Sequence, residues 1–100
     1  MSRLVWTLEA VTDLESIRDF IARTSPQYGK VVAARLIEAA DRVRRFPKSG
    51  RVVLELQRDD IREVIHGSYR IVYRVREDYD VVEILTVFRA SRLLPDLQDT

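Results

Sequence analysis

Along the first half of the chain apolar residues recur every three or four positions; along the second half they alternate. Val11, Leu14, Ile17, Phe20 and Ile21 form the first stripe, which predicts a helix of about four turns. Asp13, Glu15, Arg18 and Asp19 fall on its wet side. Thr7 is the candidate N-cap, Glu9 lies in the first turn, and the helix should end near Thr24. Ahead of it "RLVWTL", Arg3 to Leu8, is a run of strand formers. Ser25 followed by Pro26 reads as an N-cap with proline at the first helical position. The second helix carries Val32, Leu36, Ala39, Ala40, Val43 and Phe46 on one face, with Arg35, Glu38, Asp41, Arg42 and Arg45 on the other. Pro47 and Gly50 in "FPKSG" stop it.

The second half switches to a period of two. "RVVLEL" is compatible with a short strand or an extended loop, and "QRDD" is a polar turn. "IREVIH" and "YRIVYRV" read as strands joined by the tight link "GS". "REDYD" is a charged turn, and "VVEILTVF" is apolar enough to be a central strand. "RASRLLPDL" is a short tail, compatible with one helical turn before Pro95. No repeat, low-complexity tract or linker interrupts residues 1–100, which read as one domain. The order β-α-α-β-β-β predicts an α+β fold, a helical hairpin on one face of a mostly antiparallel sheet. Parity then sends Tyr69, Ile71, Tyr73 and Val75 under the helices. Arg70, Val72 and Arg74 are expected on the other side, open to solvent, with the two arginines roughly 7 Å apart.

Composition narrows the chemistry. There is no cysteine, so neither disulfides nor thiolate metal sites are expected. No segment has signal-peptide character or bilayer-spanning length, so a cytoplasmic protein is expected, with no membrane partner. The net charge of +1 argues against a globally steered nucleic-acid binder. Within that balance the cations are nearly all arginine, whose planar donors suit carboxylate and phosphate. Adjacent Asp59 and Asp60 do not converge on a metal, and no metal or cofactor is expected. Arg70 and Arg74 also admit a plain structural role, as cross-strand partners of Glu63 or Glu83. Trp6 and Tyr73 read as core, Tyr28 as packing in the interhelical link, Tyr79 as solvated. "DRVRR" reads as a solvated helix end, and His66 as a turn residue beside Gly67.

The element order, with Trp6 and "DLESI" near the start, "FPKSGR", "IREV…YRIVYRV", and "VEILTVF" leading into "RASRLLPD", resembles the RelE/ParE superfamily of toxins from type II toxin–antitoxin operons. The resemblance covers about the whole chain. It implies a growth-arresting toxin, of the kind tied to plasmid stabilisation, silenced by a cognate antitoxin in a hetero-oligomer. The antitoxin is expected to carry a DNA-binding part and a tail that folds on binding. That tail should lie along the helical hairpin or add to a sheet edge, its acids meeting the arginine-rich face.

The superfamily holds two activities. RelE-type members cleave mRNA on the ribosome; ParE-type members poison DNA gyrase. Cleavage needs a base, an acid and cations around the phosphorane-like transition state. By resemblance Arg70 matches the arginine of the "YR" strand, and Arg89 lies near a second basic position. The lysine-rich segment is replaced by "RVVLELQRDD", with acids interspersed, and the C-terminal tyrosine is missing. The set looks incomplete, and the tail looks ParE-like. The resemblance therefore favours a gyrase poison, with Arg70, Arg74, Arg89 and Arg92 as target-binding residues. The alternatives are a ribosome-dependent mRNA endoribonuclease using Arg70 and Arg89, or a degenerate member that only binds antitoxin.

Overall fold

The computed structural model describes residues 2–95. In chain order the elements are β1 (Arg3–Trp6), α1 (Leu8–Ala22), α2 (Pro26–Val43), β2 (Arg51–Val52), β3 (Ile61–His66), β4 (Tyr69–Arg76) and β5 (Val81–Arg89), with short 3₁₀ turns at Pro47–Ser49 and Glu77–Tyr79. The strands form one sheet in the order β1-β5-β4-β3-β2. Only the β1–β5 pairing is parallel. The expected α+β architecture is the one observed. Among the described residues no helix is long and apolar enough to cross a membrane.

Local chemistry sets the helix starts. The Thr7 hydroxyl accepts from Ala10 N at 3.2 Å, and the Ser25 hydroxyl from Tyr28 N at 3.3 Å, with Pro26 just inside. Thr7 also donates its own O–H to the Ile84 carbonyl at 2.7 Å, which ties the start of α1 to β5. At the β3–β4 hairpin Gly67 takes φ +58°, the left-handed conformation that a tight two-residue link requires.

The helical hairpin covers the face that parity assigned to it. Val32, Leu36, Ala39, Ala40 and Val43 of α2 meet Ile71, Tyr73, Val82, Ile84 and Val87 of the sheet. On α1 the buried line is Ala10, Leu14, Ile17 and Ile21. Val11 and Phe20, expected in that stripe, flank it and remain exposed. Phe46 also lies outside the core, because α2 ends at Val43 before its last turn reaches that residue. Tyr28, expected to pack in the interhelical link, is exposed in the first turn of α2. Asp13, expected on the wet side, turns inward. Its Oδ2 accepts from Thr86 Oγ1 at 2.5 Å and from Val87 N at 3.1 Å. β1 stops opposite Ile84, so this carboxylate serves a β5 amide that has no strand beside it.

The second face is not open as expected. Val72 packs there with Val53, Ile61 and Leu85 in a second core, joined by Leu56, Phe88 and Leu94. The turn after β2 and the tail after β5 fold over this face and close it. The tail forms a turn at Ala90–Ser91 rather than the helical turn the sequence suggested. Residues beyond Pro95 in "RASRLLPDL" lie outside the described residues.

Candidate functional site: arginines on opposite faces of the sheet

Arg70 is 7 % exposed and Glu63 is 2 % exposed. Arg70 Nε donates to Glu63 Oε1 at 2.8 Å, and its Nη2 lies 2.6 Å from the same oxygen. Nη1 donates to Glu55 Oε2 at 3.1 Å and to the Arg92 carbonyl at 3.2 Å; Nη2 donates to Glu55 Oε1 at 3.0 Å. Four of these contacts are hydrogen bonds and the fifth, Nη2 to Glu63, is a close ion pair, so acceptors meet all three nitrogens of the guanidinium. The face of Phe88 lies beneath, 4.8 Å from the guanidinium carbon. Glu63 is shared with Arg51, whose Nε donates to Oε2 at 2.6 Å. The Arg70 hydrogen bonds hold the Glu55 carboxyl well below its ordinary value, at about 2, and those to Glu55 in turn raise Arg70.

Arg74, 6 % exposed, stands on the same closed face, with Nη1 at 3.9 Å from Glu83 Oε1; Arg76 Nε donates to that oxygen as well. The open, cationic surface expected from Arg70 and Arg74 is therefore replaced by a buried network. Its physical cause is the pair of acids that two connections bring to the sheet: Glu63 on β3, and Glu55 in the turn that covers it.

Arg89, grouped with Arg70 by the resemblance as a target-binding or ribonuclease residue, lies on the other face of the sheet. The β4–β5 ladder runs in simple register from Arg76↔Val81 to Tyr73↔Ile84, then resumes at Val72↔Thr86. Leu85 is the extra residue of a bulge. A uniform register would set Arg89 opposite Ser68, on the Arg70 face. The bulge sets it opposite Tyr69 instead, on the helix face. There Arg89 and Arg92 line a groove with Asp13, Ser16 and Tyr69. Both arginines are exposed, and neither side chain bonds a described residue. His66 pairs with Tyr69 across the hairpin, so it faces away from Arg70.

This arrangement supports recognition better than proton transfer. Two guanidinium groups that bond no described residue, beside a hydroxyl, can hold a phosphate or a carboxylate. The one carboxylate among the described residues of the groove, Asp13, is occupied by Thr86 and Val87. The sequence reading missed both Asp13 and Glu55. A charged residue on a helix face, or in a polar-looking loop, gives no sign of the partner that the tertiary fold supplies.

The family model described as ParE toxin of type II toxin–antitoxin system, parDE, matches residues 4–94. Toxin RelE2 of Caulobacter vibrioides is 36 % identical over 93 % of this chain and 100 % of its own length. Among solved structures, the chromosomal ParDE system of P. aeruginosa superposes with a TM-score of 0.74 at 20 % identity, covering 89 % of this chain and 96 % of that one. The isolated E. coli RelE toxin gives a TM-score of 0.68 at 18 % identity, covering 93 % and 88 %. These two likenesses are of fold alone. The sequence match spans nearly the whole chain, and the chain belongs to the ParE toxin family of type II toxin–antitoxin systems, within the RelE/ParE superfamily.

Proposed function

We propose that this toxin poisons DNA gyrase and does not cleave mRNA. The names of similar proteins fall in both classes, so the choice rests on side chains. The observation that carries it is the closure of Arg70. A residue that stabilises a phosphorane must offer free donors to the phosphate. Arg70 turns all three of its nitrogens to Glu55, Glu63 and the Arg92 carbonyl. Arg89 stands across the sheet from it, and His66, the only histidine, also faces away from Arg70. Among the described residues base, acid and cation do not converge. In this reading Arg89 and Arg92 contact the target, while Arg70 and Arg74 support the face behind them. Both candidate targets are cytoplasmic machineries, and the toxin would act there. Induction beside two assays tests the reading: supercoiling by purified gyrase, and primer extension on a reporter mRNA. Blocked supercoiling with intact mRNA is expected; codon-phased cleavage with unimpaired gyrase would overturn it.

The antitoxin partner follows from the family, and the fold supplies a surface for its tail. β2 pairs with only Arg62 and Glu63, so the outer edge of β3 is unpaired from Val64 to His66. Beside that edge run Ala39, Arg42, Val43 and Phe46, lining a groove with Ile65. An extended segment with apolar side chains and an acid for Arg42 fits there by strand addition. The arginine-rich face first expected to meet acidic residues is already closed by this chain's own glutamates.

A further inference from the structure

The backbone from Arg92 to Leu94 crosses from the helix face of the sheet to the opposite face. Among the described residues it makes three hydrogen bonds to the rest of the protein. Arg92 N donates to the Arg89 carbonyl at 3.0 Å, closing a turn. The Arg92 carbonyl accepts from Arg70 Nη1 at 3.2 Å, and Leu94 N donates to Glu55 Oε2 at 3.2 Å. The last two converge on one ion pair, because Glu55 also takes both Nη groups of Arg70. Leu94 then seats in the second core. Glu55 is thus the pin that joins the β2–β3 turn, the β4 arginine and the tail.

We infer that Glu55 is a positioning residue for Arg92. Through Arg70 and the Leu94 amide it fixes where the tail turns, and so where the Arg92 guanidinium stands beside Arg89 in the groove. Glu55 lines no part of that groove. The inference rests on the reading of Arg89 and Arg92 as target contacts. Glu55 Oε2 accepts from both Leu94 N and Arg70 Nη1, and Oε1 accepts from Arg70 Nη2. A glutamine sets an N–H₂ group against one of these two sets of donors, and so loses either the Oε1 contact or the two at Oε2. An alanine gives up both.

The experiment compares the full chain with Glu55→Ala, Glu55→Gln, Arg92→Ala and the double Glu55→Ala/Arg92→Ala. Growth on induction is read beside thermal melts and Leu94 amide exchange. Losing one charge-assisted contact predicts about a ten- to hundredfold fall in toxicity for Arg92→Ala. Glu55→Ala should fall by a similar factor and the double no further, while Leu94 exchange rises at least about tenfold. Glu55→Gln should lie between. If Arg92→Ala stays fully toxic, the reading of the groove fails, and the inference with it. If Arg92→Ala loses toxicity and Glu55→Ala does not, or if their losses multiply in the double, the inference fails alone. Should Glu55→Ala melt below the growth temperature, Glu55→Gln, which keeps the size of the side chain, replaces it in the cycle with Arg92→Ala: a partial loss that the double does not deepen is expected, and full toxicity or losses that multiply overturn the inference.

Discussion

Both Nη groups of Arg70 end on the carboxylate of Glu55, at 3.1 and 3.0 Å, and hold that carboxyl at about 2. The ordinary value for a glutamate carboxyl, taken for the unfolded chain, is 4.5. A depressed carboxyl stabilises the fold fully above the unfolded value, and that stabilisation is lost as pH falls toward the folded one. Denaturant melts from pH 6 to 2.5 should therefore show stability falling between about pH 4.5 and 2. The side chain is 31 % exposed. Allowing for solvent screening, the Glu55 share is roughly 1–2 kcal/mol. Glu55→Gln should be less stable at pH 6 and flatter across this window. An identical slope in the variant would assign the acid loss to other carboxylates.

Removing Arg70 tests the buried network more severely. Arg70→Ala leaves Glu63 with Arg51 as its partner among the described residues, and takes from Glu55 and the Arg92 carbonyl the cation they share. Breaking one side of a buried pair costs about 3–5 kcal/mol. The Arg51 contact places this case near the lower end. Arg74→Ala should cost less, since Glu83 keeps its contact with Arg76. Urea midpoints of the two variants decide the order. An Arg70→Ala protein as stable as the parent would return that side chain to the list of solvent-facing, target-contacting groups.

The strand periodicity around Arg70 was legible because alternation is a local property, and it correctly sent Tyr69, Ile71, Tyr73 and Val75 to the helices. The caps at Thr7 and Ser25 were legible for the same reason. The face of Arg89 was not. It depends on one extra residue, Leu85, inside a run of apolar side chains that looks the same in either register. The cover over Arg70 was hidden differently. "RVVLEL" carries Val53 and Leu56 for the second core and Glu55 for the arginine, but only the completed sheet shows which strand lies beneath. Candidate residues were thus found by type, while their accessibility was set by long-range pairing.

A third prediction concerns Tyr73, which is fully buried. Its hydroxyl donates to the Pro47 carbonyl at 2.7 Å and accepts from Gly50 N at 3.0 Å, and burial raises its pKa. Tyr73→Phe leaves both backbone groups without this partner, a loss of about 1–3 kcal/mol. A Cβ at residue 50 would lie 2.4 Å from that hydroxyl and 2.6 Å from the Glu63 carbonyl oxygen. Gly50→Ala must displace one or the other. Because the two changes share an atom, their costs should not add. A double variant as unstable as the sum, measured by denaturant unfolding, would show that the hydroxyl and the glycine act independently.

The last prediction addresses the antitoxin surface. Phe46 is 72 % exposed and Ile65 47 % exposed, and both line the groove along the free edge of β3. Neither belongs to the two cores, so changing them should leave the fold stable within about 0.5 kcal/mol. If the antitoxin tail adds a strand at Val64–His66, its successive side chains fall alternately on the two sheet faces, one set beside Phe46 and the other beside Ile65, which pairs with Arg70. Phe46→Ala removes a large apolar anchor and should weaken binding by about 1–3 kcal/mol, or roughly ten- to a hundredfold. Ile65→Asp adds a charge that repels an acidic tail and should weaken it further. Arg42→Ala should act mainly on the salt dependence, as a rim charge does. Titration calorimetry with the product of the adjacent gene reads all three, and rescue of growth on co-expression gives the cellular counterpart. Unchanged affinity in both Phe46→Ala and Ile65→Asp, with Phe20→Ala or Val31→Ala weakened instead, would move the tail to the outer face of the helical hairpin, where Phe20 and Val31 are exposed.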